Sequence, residues 1–163
     1  KYPNLNVLQL DAHSDLRPEY LGTPCNHACA MHEAAKESKV VQVGIRSMDT
    51  VELPFVKKEN FFTSYAIRSN PNWKESVLAR LEGDVYITID LDAFDPSIMP
   101  STGTPEPGGL FWNETLDLLK MVFKKCNVVG FDIVELAPIE GFSGPDFMAS
   151  KLYYKLIAYK FDL

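Results

Sequence analysis

No apolar run in this 163-residue sequence approaches the ~20 residues needed to span a bilayer, which argues against a helical membrane protein. Clusters of Lys and Arg are missing too. With a formal net charge of −6, neither nucleic acid nor an anionic membrane surface is the expected partner. Cysteine is scarce: Cys25, Cys29 and Cys126 cannot all pair, which fits a reducing, cytoplasmic compartment better than a disulfide scaffold. There is no internal repeat, low-complexity tract or clear linker. The remainder, 46% hydrophobic and 23% charged, is the composition of an ordinary globular chain with one core.

The acids are unevenly spread. Windows 11–19, 90–106 and 132–140 make up 35 residues yet hold ten of the 22 acids: Asp11, Asp15, Glu19, Asp90, Asp92, Asp95, Glu106, Asp132, Glu135 and Glu140. They hold one of the sixteen bases, Arg17. Loop composition alone offers one explanation, since Asp favours turns. A cation offers the other: a metal, a cationic substrate, or both.

Short apolar runs rich in β-formers occur at 6–10, 40–45, 84–89 and 128–131, with a weaker one at 61–67. Near-continuous apolar runs bounded by loops point to strands buried on both faces, as in a parallel sheet. Helical spacing appears at 26–38, 72–81, 112–125 with Asn113 as cap, and 145–160. The alternation predicts a single α/β domain, three-layer α-β-α, with a mostly parallel sheet. Four of the eleven prolines fall in 96–107 beside Gly103, Gly108 and Gly109, which reads as one long ordered loop. All three acid windows follow strand ends, where such folds build their ligand sites.

Strand geometry puts the side chains of Asp11 and His13 on one face, with Asp15 able to curl back from the loop. Asp90 and Asp92 repeat the device on another strand. Packing four carboxylates together without a cation costs several kcal/mol in repulsion and desolvation. A mixed set dominated by oxygen donors favours Mn²⁺, with Fe²⁺, Co²⁺ or Mg²⁺ as alternatives. Five donors suit two ions sharing carboxylates, a hydrolytic arrangement. A competing zinc reading rests on Cys25, Cys29 and His32, which share a face if 26–38 is helical, while His27 points away.

Asp11-Ala12-His13-Ser14-Asp15, together with Asp90-Leu91-Asp92-Ala93-Phe94-Asp95-Pro96 running on to Gly103-Thr104-Pro105-Glu106-Pro107-Gly108-Gly109, resembles two signature motifs of the ureohydrolase family. That family includes arginase, agmatinase, formiminoglutamase and guanidinobutyrase. Phe131-Asp132-Ile133-Val134-Glu135-Leu136-Ala137-Pro138 is similar to the family's late strand.

The resemblance implies an arginase-like fold and a di-manganese hydrolase of guanidinium compounds. By motif position, Asp11 and Asp90 would bridge two Mn²⁺ ions, Asp15 would ligate the first, and His13 and Asp92 would complete the second. A bridging hydroxide, hydrogen-bonded to Asp15, would attack the guanidinium carbon and release urea and a primary amine. Glu135 would hold the guanidinium, and His27 would shuttle protons to the leaving amine. Asp95 and Asp132 would hold the loop and the strand.

The family's earlier Gly-Gly-Asp-His motif is absent, which implies a C-terminal portion of a longer catalytic domain, incomplete at its N-terminus, that lacks one histidine ligand of the first ion. The stretch 16–27 is similar to the agmatinase pattern and lacks arginase's Ser/Asn-containing loop. The expected reaction is therefore agmatine to putrescine and urea in a cytoplasmic homo-oligomer, a trimer or hexamer by resemblance. Guanidinobutyrase, another guanidino-acid hydrolase and a non-catalytic relative are the alternatives.

Overall fold

A computed structural model describes residues 2–162. Five parallel strands form one sheet: β1 (Asn6–Leu10), β2 (Lys39–Ile45), β3 (Phe61–Thr63), β4 (Asp84–Asp90) and β5 (Asn127–Val134), in the spatial order β3-β2-β1-β4-β5. The chain moves outward from β1 to β3, then crosses back over β1 to place β4 and β5 on the other side. Right-handed crossovers make such a reversal change faces. Accordingly α1 (Ala30–Glu37), between β1 and β2, packs on one face through Met31 and Ala34 against Val7 and Val40. The opposite face carries α2 (Ser64–Ser69), α3 (Trp73–Leu78), α4 (Trp112–Lys125) and α5 (Gly144–Phe161). This is the expected three-layer α/β architecture.

The main core lies on that second face. Leu8, Leu10, Val41, Val43, Val85, Ile87 and Ile89 meet Ile67, Trp73, Val77, Leu118, Leu119, Val122, Leu152 and Leu156. The first face is different. Beyond α1 it carries a row of polar residues paired across four strands: Gln42 with Gln9, Gln9 with Thr88, and Thr88 with Asp132. Alternation along each strand puts one row in the core and the next on this face.

Several local expectations are corrected. The run 61–67 forms strand only to Thr63, because the Thr63 side chain caps α2 by accepting from Ala66 N. The helix expected over 26–38 begins at Ala30 and is preceded by a 3₁₀ turn at His27–Cys29, so Cys25 lies outside it. The helix expected over 72–81 is the shorter α3. Helix α4 is capped by Glu114, whose carboxylate accepts from Phe111 N at 2.7 Å, and not by Asn113. Among the described residues, no helix is long and apolar enough to cross a membrane.

Candidate metal centre

Where the direction of travel reverses, between β1 and β4, the connecting loops part and leave a crevice at the carboxyl ends of the strands. Asp11 follows the last residue of β1, and Asp90 is the last of β4. Beyond β1 the backbone stays in register with the next strand: Arg46 N and Ser47 N both donate to Ala12 O, at 2.9 and 3.0 Å. The crevice opens into a cavity of about 920 Å³ on the sheet's polar face.

Three of the predicted donors converge. Asp11, His13 and Asp92 each present one ligand atom, all within 4.8 Å of one another, the only such group of His, Cys, Asp and Glu among the described residues. His13 Nδ1 lies 2.9 Å from Asp92 Oδ2 and 3.7 Å from Asp11 Oδ1. The backbone secures both acids: His13 N donates to Asp11 Oδ1 at 2.6 Å, and Ala12 N to Asp92 Oδ1 at 3.0 Å. Asp90 turns its Oδ1 to Asp92 N at 2.8 Å.

Asp15 lines the same cavity from a left-handed backbone conformation, φ +52°, between two residues held by the buried Glu52. Glu52 accepts from the Ser14 hydroxyl at 2.5 Å and from Leu16 N at 2.9 Å. His27 and Glu135 also line the cavity, Glu135 with φ +62°. Neither makes a hydrogen bond to the three-donor group, and the His27 ring sits edge-on to Tyr20 with centroids 6.0 Å apart.

Charge in the cluster is unbalanced. Burial, reinforced by the neighbouring Asp11 charge, pushes Asp15 up to about 8 and Asp90 up to about 9; burial alone is the main cause for Asp11, at about 6. The Asp11 and Asp92 carboxylates beside its ring raise His13 to about 10. Burial is the largest single influence on Asp92 and opposes its ionisation, but the His13 hydrogen bond and charge and the Ala12 amide together outweigh it and hold the carboxyl below the ordinary range. The ion pairs reaching the cluster all come from one imidazole. An oxygen-rich group of this kind, short of positive charge, fits a divalent cation.

The other acids hold structure. Asp95 accepts from Ser97 Oγ and N and from the backbone of Gly108 and Gly109, closing the 95–109 loop; the Ser97 hydroxyl is the main reason its carboxyl falls to about 2. Asp132 accepts from Tyr86 and Thr88 hydroxyls at 2.9 and 2.7 Å. Gly130 makes room for that tyrosine, since a Cβ there would stand 2.8 Å from the ring. The zinc reading finds no geometry. Cys25 is exposed, Cys29 is buried, and the His32 ring faces Leu16 O at 3.2 Å and packs on Phe55.

Four residues escaped the sequence reading. Arg46 donates its guanidinium to the carbonyls of Gly44, Asp92, Phe94, Glu106 and Pro107, tying the strand end to both limbs of the long loop. Glu52 braces the Asp15 turn. Gln9 and Gln42 lie beneath Asp11, 1% and 4% exposed. The glutamines did leave a signal: each is a polar residue flanked on both sides by apolar residues within its strand.

The model of the arginase family matches residues 1–158. An N(1)-aminopropylagmatine ureohydrolase of Synechocystis sp. is 38% identical over 157 residues, 94% of this chain and 51% of that protein. An agmatinase of Pyrococcus horikoshii is 35% identical over 165 residues, 96% and 58% of the two chains. The crystal structure of the agmatine ureohydrolase of Thermoplasma volcanium superposes with a TM-score of 0.84 at 32% identity, covering 97% of this chain and 55% of the other. The chain thus spans about half the length of the curated relatives it matches. Matched from residue 1 to 158, and with the motif carboxylates gathered at its switch point, the chain belongs to the arginase family.

Proposed function

We propose that the chain carries the catalytic carboxylates of a manganese-dependent amidinohydrolase acting on a guanidino compound with a cationic tail, agmatine in the first instance. The observation that carries this reading is the convergence of Asp11, His13 and Asp92 from two strand ends, with Asp15 and Asp90 beside them and too little positive charge to balance them. Asp15, with Asp11 and Asp90 shared, would contribute to the first Mn²⁺; His13, Asp92, Asp11 and Asp90 would hold the second. Ions bound there supply a water acidified to near neutral pH as the nucleophile. Asp15 would orient that water. Glu135 would pair with the planar guanidinium at the cavity wall, and His27, at the rim, would deliver a proton to the departing amine nitrogen.

Three of the four residues assigned to the second ion are the ones found together. With one histidine ligand of the first ion lacking, we expect this chain to bind one Mn²⁺ tightly and the other weakly. The single α/β unit would then be the C-terminal portion of a larger catalytic domain, and the oligomer a trimer or hexamer.

The rim favours an amine over a carboxylate at the substrate's far end. Arg17, the base beside the cavity, is engaged by Asp49 at 3.2 Å and lies over the Tyr20 ring, while Glu135 is among the acids that line the cavity. Among the described residues lining the cavity, a guanidino acid would find no free Lys or Arg. N(1)-aminopropylagmatine is the second reading, supported by the name and 38% identity of the Synechocystis relative. It carries the same guanidinium and one more cationic amine.

Urea release with Mn²⁺ from agmatine, N(1)-aminopropylagmatine, arginine and 4-guanidinobutyrate tests the reading on any longer protein that carries this chain. Turnover is expected for the first two; faster release from arginine or the guanidino acid would overturn it. Mn²⁺ content should fall when Asp90 is replaced by Ala, and unchanged content would refute the ligand assignment.

A further inference from the structure

Beneath the acid cluster two buried glutamines form a continuous chain of hydrogen bonds. Gln42 Nε2 donates to Gln9 Oε1 at 2.6 Å and to Ser14 O at 2.7 Å. Gln9 Nε2 donates in turn to Asp11 Oδ2 at 2.7 Å and to His13 O at 3.3 Å. The two residues are register partners on β2 and β1.

The direction of this chain is not arbitrary. An ionised carboxylate only accepts, so the side of the Gln9 amide facing Asp11 must be its NH₂ group. The Gln9 carbonyl oxygen then faces β2 and requires a donor there. Only the NH₂ side of Gln42 supplies one, and the Ser14 carbonyl, another obligate acceptor, demands the same orientation. Every amide in the row therefore points its hydrogens toward the loop that carries Asp11, His13 and Asp15. Both side chains are shut off from water that could substitute for a lost partner.

We infer that Gln9 is a positioning residue that fixes the Asp11 carboxylate for metal binding, and that Gln42 acts through it by locking the orientation of the Gln9 amide. The inference rests on Asp11 being a metal ligand, as proposed above. Neither glutamine would itself be a metal ligand; each acts through its hydrogen bonds. Gln9 holds one oxygen of Asp11 while the His13 backbone holds the other, so the carboxylate plane is set from both sides before a cation arrives. Loss of a partner that orients a ligand typically weakens metal affinity about 10–100-fold.

The test uses the chain itself, with Mn²⁺ titrated calorimetrically into wild type, Gln9→Leu, Gln42→Leu and the double variant. Gln9→Leu should weaken Mn²⁺ binding about 10–100-fold, and Gln42→Leu by a smaller factor. The double variant should lie close to Gln9→Leu alone, because the side-chain path from Gln42 to the Asp11 carboxylate runs through Gln9, its other bond ending on the Ser14 backbone. Additive losses would show two independent packing defects and overturn the relay, as would a Gln9→Leu affinity within about twofold of wild type.

A second measurement needs no metal and covers the case in which Gln9→Leu fails to fold. In ¹⁵N-labelled wild-type chain the Gln9 side-chain amide protons should resonate downfield and exchange slowly. Both Asp11→Asn and Gln42→Leu should shift them. Insensitivity to either would sink the relay. Failure of wild type to take up Mn²⁺ would count against the proposed function, while the amide resonances still decide the role of the glutamines.

Discussion

Asp15 and Asp90 retain protons to about 8 and 9 in the folded chain, against an ordinary value of 3.8, chiefly because burial strips water from their carboxylates. His13 retains its own to about 10 instead of 6.5, because the Asp11 and Asp92 carboxylates lie beside its ring. All three shifts have one sign: between these ordinary and folded values the native chain binds more protons than the unfolded one. Stability must then fall as pH rises through that window. With a chelator present, the thermal midpoint should drop steadily from pH 5 to pH 9. A midpoint that rises would contradict the placement of these acids. On the proposed assignment Mn²⁺ would displace the same protons, so its affinity should increase with pH, and the binding heat should depend on the ionisation enthalpy of the buffer. Asp90→Asn separates the two effects at one residue. It should raise the midpoint of the metal-free chain at pH 8 while weakening Mn²⁺ about tenfold or more.

Arg46 and the 95–109 loop act as one element. The guanidinium reaches five carbonyls, and Lys cannot reproduce that fork with a single ammonium. Arg46→Lys should therefore speed amide exchange across residues 92–109 without changing exchange in β1 and β4; retained loop protection would refute the tie. Gly109 closes the same loop. A Cβ there would lie 2.4 Å from both Asp95 N and Phe94 C, so Gly109→Ala should cost ~1–3 kcal/mol in denaturant unfolding. Much at this scale could be read from residues alone. Four of the strands, α4 and α5 announced themselves through apolar runs or helical spacing, and the paired motifs of 11–15 and 90–92 foretold an acid cluster. What escaped was set by partners distant in the chain. Nothing near Phe62 says that Thr63 will cap a helix and end β3. Nothing near Arg46 names the carbonyls 46 to 61 residues away that it binds. The pairing order, which alone makes β1 and β4 neighbours, leaves no local trace.

For the whole molecule, a ligand that binds only the native state stabilises it by about 2.7 kcal/mol at a hundredfold excess over its Kd. At this size each kcal/mol moves the midpoint by roughly 2–4 °C. Saturating Mn²⁺ should therefore raise the midpoint by about 5–10 °C, and Ca²⁺, which favours more oxygen ligands in a wider cage, should do less. Equal shifts from the two ions would argue for diffuse charge screening over a defined site. The reversal of strand order has a further consequence, and it concerns time. The Ala12 amide and the Asp92 carboxylate that it meets are 80 residues apart, so the two halves of the cluster come together only when a long loop has closed. Added during refolding, Mn²⁺ should then leave the rate of folding unchanged and slow unfolding alone, because the site is completed on the native side of the barrier.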